Sequence, residues 1–216
     1  MNQRPDDYLP AAGHDWLLPL YDPLVKIFFP YGELQERILF ETQLAPEQRV
    51  LDLGCGTGTL LVSLAAAEPK AQLFGIDGDP KALAIARSKI AQAGADIALQ
   101  EGFSYELPYA DGSFDRVLSA LVFHHLSRSD KLRSLAEIRR VLAPGGRFVL
   151  VDFGPPGNGW ERGLQRLVRS EALGDNLRGR LPDFLREAGF AGVQETGRLG
   201  TIAGSIRVIR AQRAAA

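Results

Sequence analysis

From residue 50 to residue 58 the chain reads Val-Leu-Asp-Leu-Gly-Cys-Gly-Thr-Gly, an apolar run that breaks into three glycines at alternate positions. Glycine lets the backbone turn sharply and come close to a ligand. The residues behind it, Thr57–Ala67, carry Leu60, Leu61 and Leu64 on one helical face. The segment therefore predicts a strand, a tight turn and a helix whose first N–H groups are free to face whatever sits over the turn. A second apolar run, Ala71–Ile76, ends on Asp77, 19 residues after Gly58. A carboxylate at that point of a βαβ unit can accept hydrogen bonds from both hydroxyls of a ribose.

The rest of the chain continues the alternation. Pro80–Ala93 reads as a helix, with Asp79 as N-cap, proline at its first position and Gly94 beyond its end. Strands are expected at Arg49–Leu53, Ala71–Ile76, Asp96–Gln100, Phe114–Leu121 and Arg147–Phe153. A helix at Ser129–Leu142 should stop at Pro144-Gly145-Gly146. Further helices are expected at Trp160–Leu173 and Leu181–Ala188, then a hairpin of Gly192–Gly197 and Ile202–Arg210 turning at Arg198-Leu199-Gly200. Strands alternating with helices imply an α/β fold, a Rossmann-like doubly wound sheet of seven strands, mostly parallel with an antiparallel C-terminal hairpin. Residues 46–216 form its single globular unit. Residues 1–45 precede the sheet and read as helical pieces, ending in a helix at Glu33–Leu44, that act as a cap or lid.

Composition narrows the classes. The 216 residues include 25 Lys+Arg and 26 Asp+Glu, so no global field attracts nucleic acid, and none is expected as a partner. One cysteine excludes an intramolecular disulfide framework and a multi-cysteine zinc site, and no metal is expected. No apolar run approaches the roughly 18 residues of a transmembrane segment, and the N-terminus lacks a secretory pattern, so a cytoplasmic location is the expectation. The sequence carries no signal for a particular oligomeric state.

Two cofactor classes use such a glycine turn. Dinucleotides need Gly-x-Gly-x-x-Gly around a pyrophosphate. Here the third glycine comes one residue early, Thr59 takes its place, and Asp52 puts negative charge beside the turn. A ligand with ribose and adenine, no phosphate, and an ammonium group fits better. S-adenosylmethionine has those features.

Three blocks then carry a resemblance: Leu51–Gly58, Leu107-Pro108-Tyr109 followed by Ser113–Val117, and Arg140-Val141-Leu142-Ala143-Pro144-Gly145-Gly146-Arg147. In these the chain resembles class I S-adenosylmethionine-dependent methyltransferases, and within them the small-molecule enzymes grouped with ubiquinone and menaquinone biosynthesis. The resemblance runs from about Tyr21 to Gly146, with an echo at Leu185–Phe190. It implies that Gly54, Cys55, Gly56, Thr57 and Gly58 wrap the methionine part of the cofactor, that Asp52 meets its amino end, and that Asp77 holds the ribose. Ala120 and Leu121 are implied under the sulfonium, and Tyr21 within reach of the cofactor. Two positions depart from the family pattern. Gly78 replaces a larger apolar residue against adenine. Gly102-Phe103-Ser104 replaces Gly-Asp-Ala, so adenine is met by Ser104, by backbone or by the ring of Phe103.

The implied product is S-adenosylhomocysteine, and the implied partner is a small-molecule acceptor. Methyl transfer is an in-line displacement that needs alignment more than a catalytic triad. His124 and His125 follow the fourth strand, where open α/β sheets bind ligands. One of them either orients the acceptor or takes its proton; otherwise the pair caps the next helix or meets a carboxylate. Two other readings use the same fold: a non-catalytic binding protein, and an aminopropyl transferase, which lacks the carboxylate pair that a polyamine requires.

Overall fold

The computed structural model describes residues 31–157, 159, 171–201 and 204–215. Tyr21, the rest of the proposed lid before residue 31, and most of the helix expected at Trp160–Leu173 lie outside the described residues.

Hydrophobic alternation builds two cores, one on each face of a seven-stranded sheet. Helix α1 is Tyr31–Thr42, and strand β1 is Arg49–Leu53. They are followed by α2 (Thr59–Ala67), β2 (Gln72–Asp77), α3 (Pro80–Ala93) and β3 (Ile97–Glu101). Then come β4 (Phe114–Ala120), a 3-10 turn at Phe123–His125, α4 (Arg128–Val141) and β5 (Leu142–Phe153). The chain closes with α5 (Glu171–Leu177), α6 (Leu181–Glu187), β6 (Phe190–Thr201) and β7 (Gly204–Arg213). The spatial order is β3-β2-β1-β4-β5-β7-β6. The first five strands are parallel, and β7 is antiparallel to both of its neighbours.

Along each central strand the side chains take opposite faces in turn, as a pleat requires. Leu51, Leu53, Val117, Phe148, Leu150 and Ile209 pack under α4 and α6. Val50, Leu118, Val149, Val151 and Val208 pack under α1, α2 and α3. Leu34 and Ile38 bring α1 into that second core, so this helix is one of the layers over the sheet.

Among the boundaries that differ from the expected ones, three have a clear local reason. Helix α2 begins at Thr59 rather than Thr57, because Gly58 is its N-cap in the left-handed region at φ 77°. Strand β5 starts at Leu142, before Pro144-Gly145-Gly146; the register shift between Phe114 and Arg116 on β4 absorbs those three residues. The hairpin does not turn at Arg198-Leu199-Gly200. These residues pair with Arg207, Ile206 and Ser205, and the strands run on to Thr201 opposite Gly204, whose φ of 130° suits only glycine.

Two of the sequence blocks explain each other. Arg140 donates to the carbonyl oxygens of Tyr109 at 2.7 Å and Leu107 at 3.0 Å, and the Leu107 N–H donates to Glu137 at 2.8 Å. Helix α4 thereby fixes the loop that leads into β4.

Candidate cofactor and acceptor site

The glycine turn sits where strand order reverses, between β1 and its neighbours β2 and β4, and ligands bind at such a point in open α/β sheets. The N–H groups of Gly54 and Cys55 donate to the Ile76 carbonyl at 2.8 and 3.1 Å, which pins the turn to the end of β2. Gly54, Gly56 and Gly58 all have positive φ, at 67°, 52° and 77°. Their surroundings differ. A Cβ on Gly54 would lie 2.3 Å from Val122 Cγ2, and one on Gly58 would lie 2.9 Å from Ala86 Cβ. A Cβ on Gly56 would meet nothing within 4 Å. So two of the glycines admit close packing of protein, and the middle one borders open space.

Asp77 braces that opening. One of its oxygens accepts from the Gly56 N–H and the other from the Asp79 N–H, both at 2.8 Å. Burial raises its carboxyl above the usual range, and these two hydrogen bonds oppose the rise. Asp52, 2% exposed near the carboxyl end of β1, is pushed up to about 8 by burial and then by the charge of Asp77. Cys55 turns inward against Gly75, where an added Cβ would lie 2.9 Å from its Sγ. Burial, then the charges of Asp52 and Asp77, raise its thiol far above the ordinary value. The hydroxyls of Thr57 and Thr59 both accept from Lys89 Nζ, at 2.9 and 2.8 Å, which ties the start of α2 to α3.

The two departures from the family pattern meet in space. A Cβ on Gly78 would lie 2.7 Å from Phe103 Cε1, so the Phe103 ring fills the room that a larger residue at 78 would take. Phe103 stacks on Tyr105 with centroids 5.3 Å apart and planes 3° from parallel. The Arg133 guanidinium lies 4.6 Å from the Tyr105 ring centre. The Ser104 hydroxyl is spent on Ser134, 2.8 Å away, rather than facing this wall.

On the other side of the turn, Ala120 ends β4 and Leu121 takes a left-handed conformation at φ 60°. That conformation costs a non-glycine residue about 1 kcal/mol. The Leu121 N–H donates to the Val151 carbonyl at 2.8 Å, which holds the reversal. The chain then doubles back, so that Val122 packs on Gly54 and the two histidines follow at once. His124 Nδ1 is 2.9 Å from Asp152, which also accepts from the backbone N–H groups of His124 at 3.2 Å and Phe153 at 2.7 Å. His125 lies beside it, ring centres 3.9 Å apart, and burial pushes its imidazole down to about 4.

The sequence reading did not single out Asp152, although it is the one charged residue in the apolar run from Phe148 to Phe153. Nor did it find Lys131, fully buried on α4, where burial lowers the pKa of its ammonium against the opposing charges of Asp152 and Asp175. Among the described residues, no group of three or more His, Cys, Asp or Glu side chains has the arrangement of a metal site. No described helix is long and apolar enough to cross a membrane.

Comparison with known proteins accords with this geometry. The family described as "Methyltransferase domain" matches residues 50–146. A demethylmenaquinone methyltransferase of Thermus thermophilus is 38% identical over 146 residues, which cover 66% of this chain and 65% of that protein. A ubiquinone/menaquinone biosynthesis C-methyltransferase of Syntrophotalea carbinolica is 32% identical over 173 residues, 77% of this chain and 72% of that protein. The chain belongs to the class I S-adenosylmethionine-dependent methyltransferases. The crystal structure of such an enzyme from Aquifex aeolicus superposes with a TM-score of 0.69 at 21% identity, covering 92% of this chain and 98% of that one, and so shares the fold. The match to the Thermus relative spans less than two thirds of that protein's length.

Proposed function

We propose that the protein transfers a methyl group from S-adenosylmethionine to a small, quinone-type acceptor. The observation that carries this reading is Asp77 bonded to Gly56 on the open side of the turn, with Asp52 close enough to feel its charge. Asp52 is buried and Asp77 half-buried, and desolvation disfavours the charge of each. A ligand that brings an ammonium group to Asp52 and two hydroxyls to Asp77 answers both. A pyrophosphate answers neither.

When bound, the cofactor supplies a methyl group already made electrophilic by its sulfonium. The protein's own residues bind, orient and exclude water. Asp77 keeps lone pairs for a ribose while its two backbone hydrogen bonds fix its orientation. Phe103, backed by Tyr105, gives an aromatic wall for adenine in the room that Gly78 leaves. Gly54 lets the turn reach Val122, which closes the cofactor side against the acceptor side. The quinone-type acceptor rests on the names of the Thermus and Syntrophotalea relatives.

Titration calorimetry with S-adenosylmethionine tests the reading. Micromolar-range binding is expected in the full chain, with at least a hundredfold loss in Asp77→Ala, which removes charged hydrogen bonds to ligand and turn together. Absence of heat and of any thermal shift with S-adenosylmethionine or S-adenosylhomocysteine overturns it.

A further inference from the structure

We propose that His124, held by Asp152, is the catalytic proton acceptor for an acceptor molecule with an acidic hydroxyl, a phenol or an enol. The inference rests on the methyl-transfer reading and goes beyond it by naming the acceptor's chemistry and the residue that takes its proton.

The geometry separates two adjacent histidines. Asp152 is 1% exposed, and its carboxylate gathers three donors: His124 Nδ1, the His124 N–H and the Phe153 N–H. Bonding to a carboxylate places the His124 proton on Nδ1 and leaves the lone pair on Nε2. Among the described residues Nε2 has no hydrogen-bond partner. The side chain is 15% exposed, so it is held but reachable. The Phe153 ring meets it at 85° with centres 5.0 Å apart, which fixes the plane of the imidazole. Val122, two residues back, packs on Gly54, so the dyad stands on the rim of the cofactor turn.

His125 has no such brace. The residue is exposed, no carboxylate among the described residues orients its ring, and its imidazole is pushed down to about 4, too weak a base for a phenol. The charged and titratable groups around the dyad are Asp152 on β5, His125 on the same 3-10 turn, Lys131 on α4, Asp175 on α5, and Arg178 just after it. Asp152 lies next to the ring and favours the imidazolium that forms on proton transfer.

The acceptor's nucleophilic atom bonds to the methyl carbon as the carbon–sulfur bond breaks, and that electron pair stays on sulfur. The hydroxyl proton moves to His124 Nε2 and later to solvent. An imidazole suits a hydroxyl with a pKa up to about 10, as in a phenol, and not an aliphatic alcohol; a carboxylate acceptor needs no base.

The test uses the full chain and two phenolic probes: a short-chain demethylated naphthoquinol, protonated at pH 7, and a nitro-substituted phenol, ionised at pH 7. His124→Gln is expected to lower kcat for the protonated probe roughly a hundredfold, and to recover as pH approaches 10. With the ionised probe the loss should stay within about fivefold. Asp152→Asn should follow the same pattern, as a positioning residue. S-adenosylhomocysteine affinity should be unchanged in His124→Gln. Independently, 15N NMR of the S-adenosylhomocysteine complex at pH 8 should show His124 as the Nδ1–H tautomer. An Nε2–H tautomer, equal losses on both probes, a larger loss in His125→Asn, or no turnover of either phenol by cofactor-bound wild type each overturns the proposal. Failure to bind cofactor at all falls instead on the methyl-transfer reading.

Discussion

At the carboxyl ends of β1 and β2, Asp52 is buried within reach of the charge of the half-buried Asp77. At the carboxyl ends of β4 and β5, Asp152 is buried as deeply but gathers a histidine and two backbone N–H groups. The first region is left in electrostatic debt that a cationic ligand can settle. The second is complete in itself and presents one imidazole nitrogen outward. The lesson is that equal burial of a carboxylate marks a binding site in one place and a rigid support in the other, and the partners decide which.

The largest effects should come from where the two regions touch. Gly54→Ala drives a Cβ into Val122 and also strains a φ of 67°, so a loss of about 2–4 kcal/mol in chemical denaturation is expected. Gly56→Ala meets only open space, and its stability loss should be about 1 kcal/mol from φ alone, while cofactor affinity drops. Equal losses at the two sites would break the distinction between a packed and an open glycine.

The pH responses should run in opposite directions. Asp52 has its folded pKa raised from 3.8 to about 8, so its contribution to apo stability is fully present below pH 4 and is lost as pH rises towards 8. Cofactor binding needs its charge. Affinity for S-adenosylhomocysteine should therefore rise from pH 6 to 8 with release of a proton, seen by calorimetry in buffers of different ionisation enthalpy. Asp52→Asn should flatten both trends. His125 is lowered from 6.5 to about 4, so its contribution is present above pH 6.5 and lost as pH falls through 4. Solvent screening keeps that limb small at an exposed ring, and it should vanish from urea melts of His125→Asn.

The smallest effect sharpens the cofactor side. Phe103→Ala should weaken S-adenosylmethionine roughly tenfold by removing an aromatic wall. Gly78→Leu alone collides with the ring at 2.7 Å, but in the Phe103→Ala background it should restore part of the affinity. Strictly additive losses in the double variant, measured by calorimetry, would show that the two positions are independent.

Much of this was legible in the chain. The alternation of apolar stripes gave the order of strands and helices, because each stripe is local. The turn at Gly54–Gly58 and Asp77 at the end of β2 could be read because a βαβ unit fixes their separation. What could not be read depends on contacts between distant segments. Gly78 and Phe103 look like two separate losses in sequence and become one substitution once the 24 residues of chain between them are folded. Asp152 looks like a polar interruption in a buried strand until β4 and β5 lie side by side. The early start of β5 was hidden because proline and glycine signal a stop, and only pairing with β4 shows that the strand passes through them.

Cys55 faces away from the open side of its own turn, into the space that Gly75 leaves on β2. It is the only cysteine in the 216-residue sequence, and buried with its thiol held protonated it is silent to electrophiles while the turn stays closed. The modification rate of native protein by a thiol reagent therefore clocks how often the cofactor turn lifts off β2, with no label added. Saturating cofactor should slow that clock in proportion to how firmly it clamps the turn.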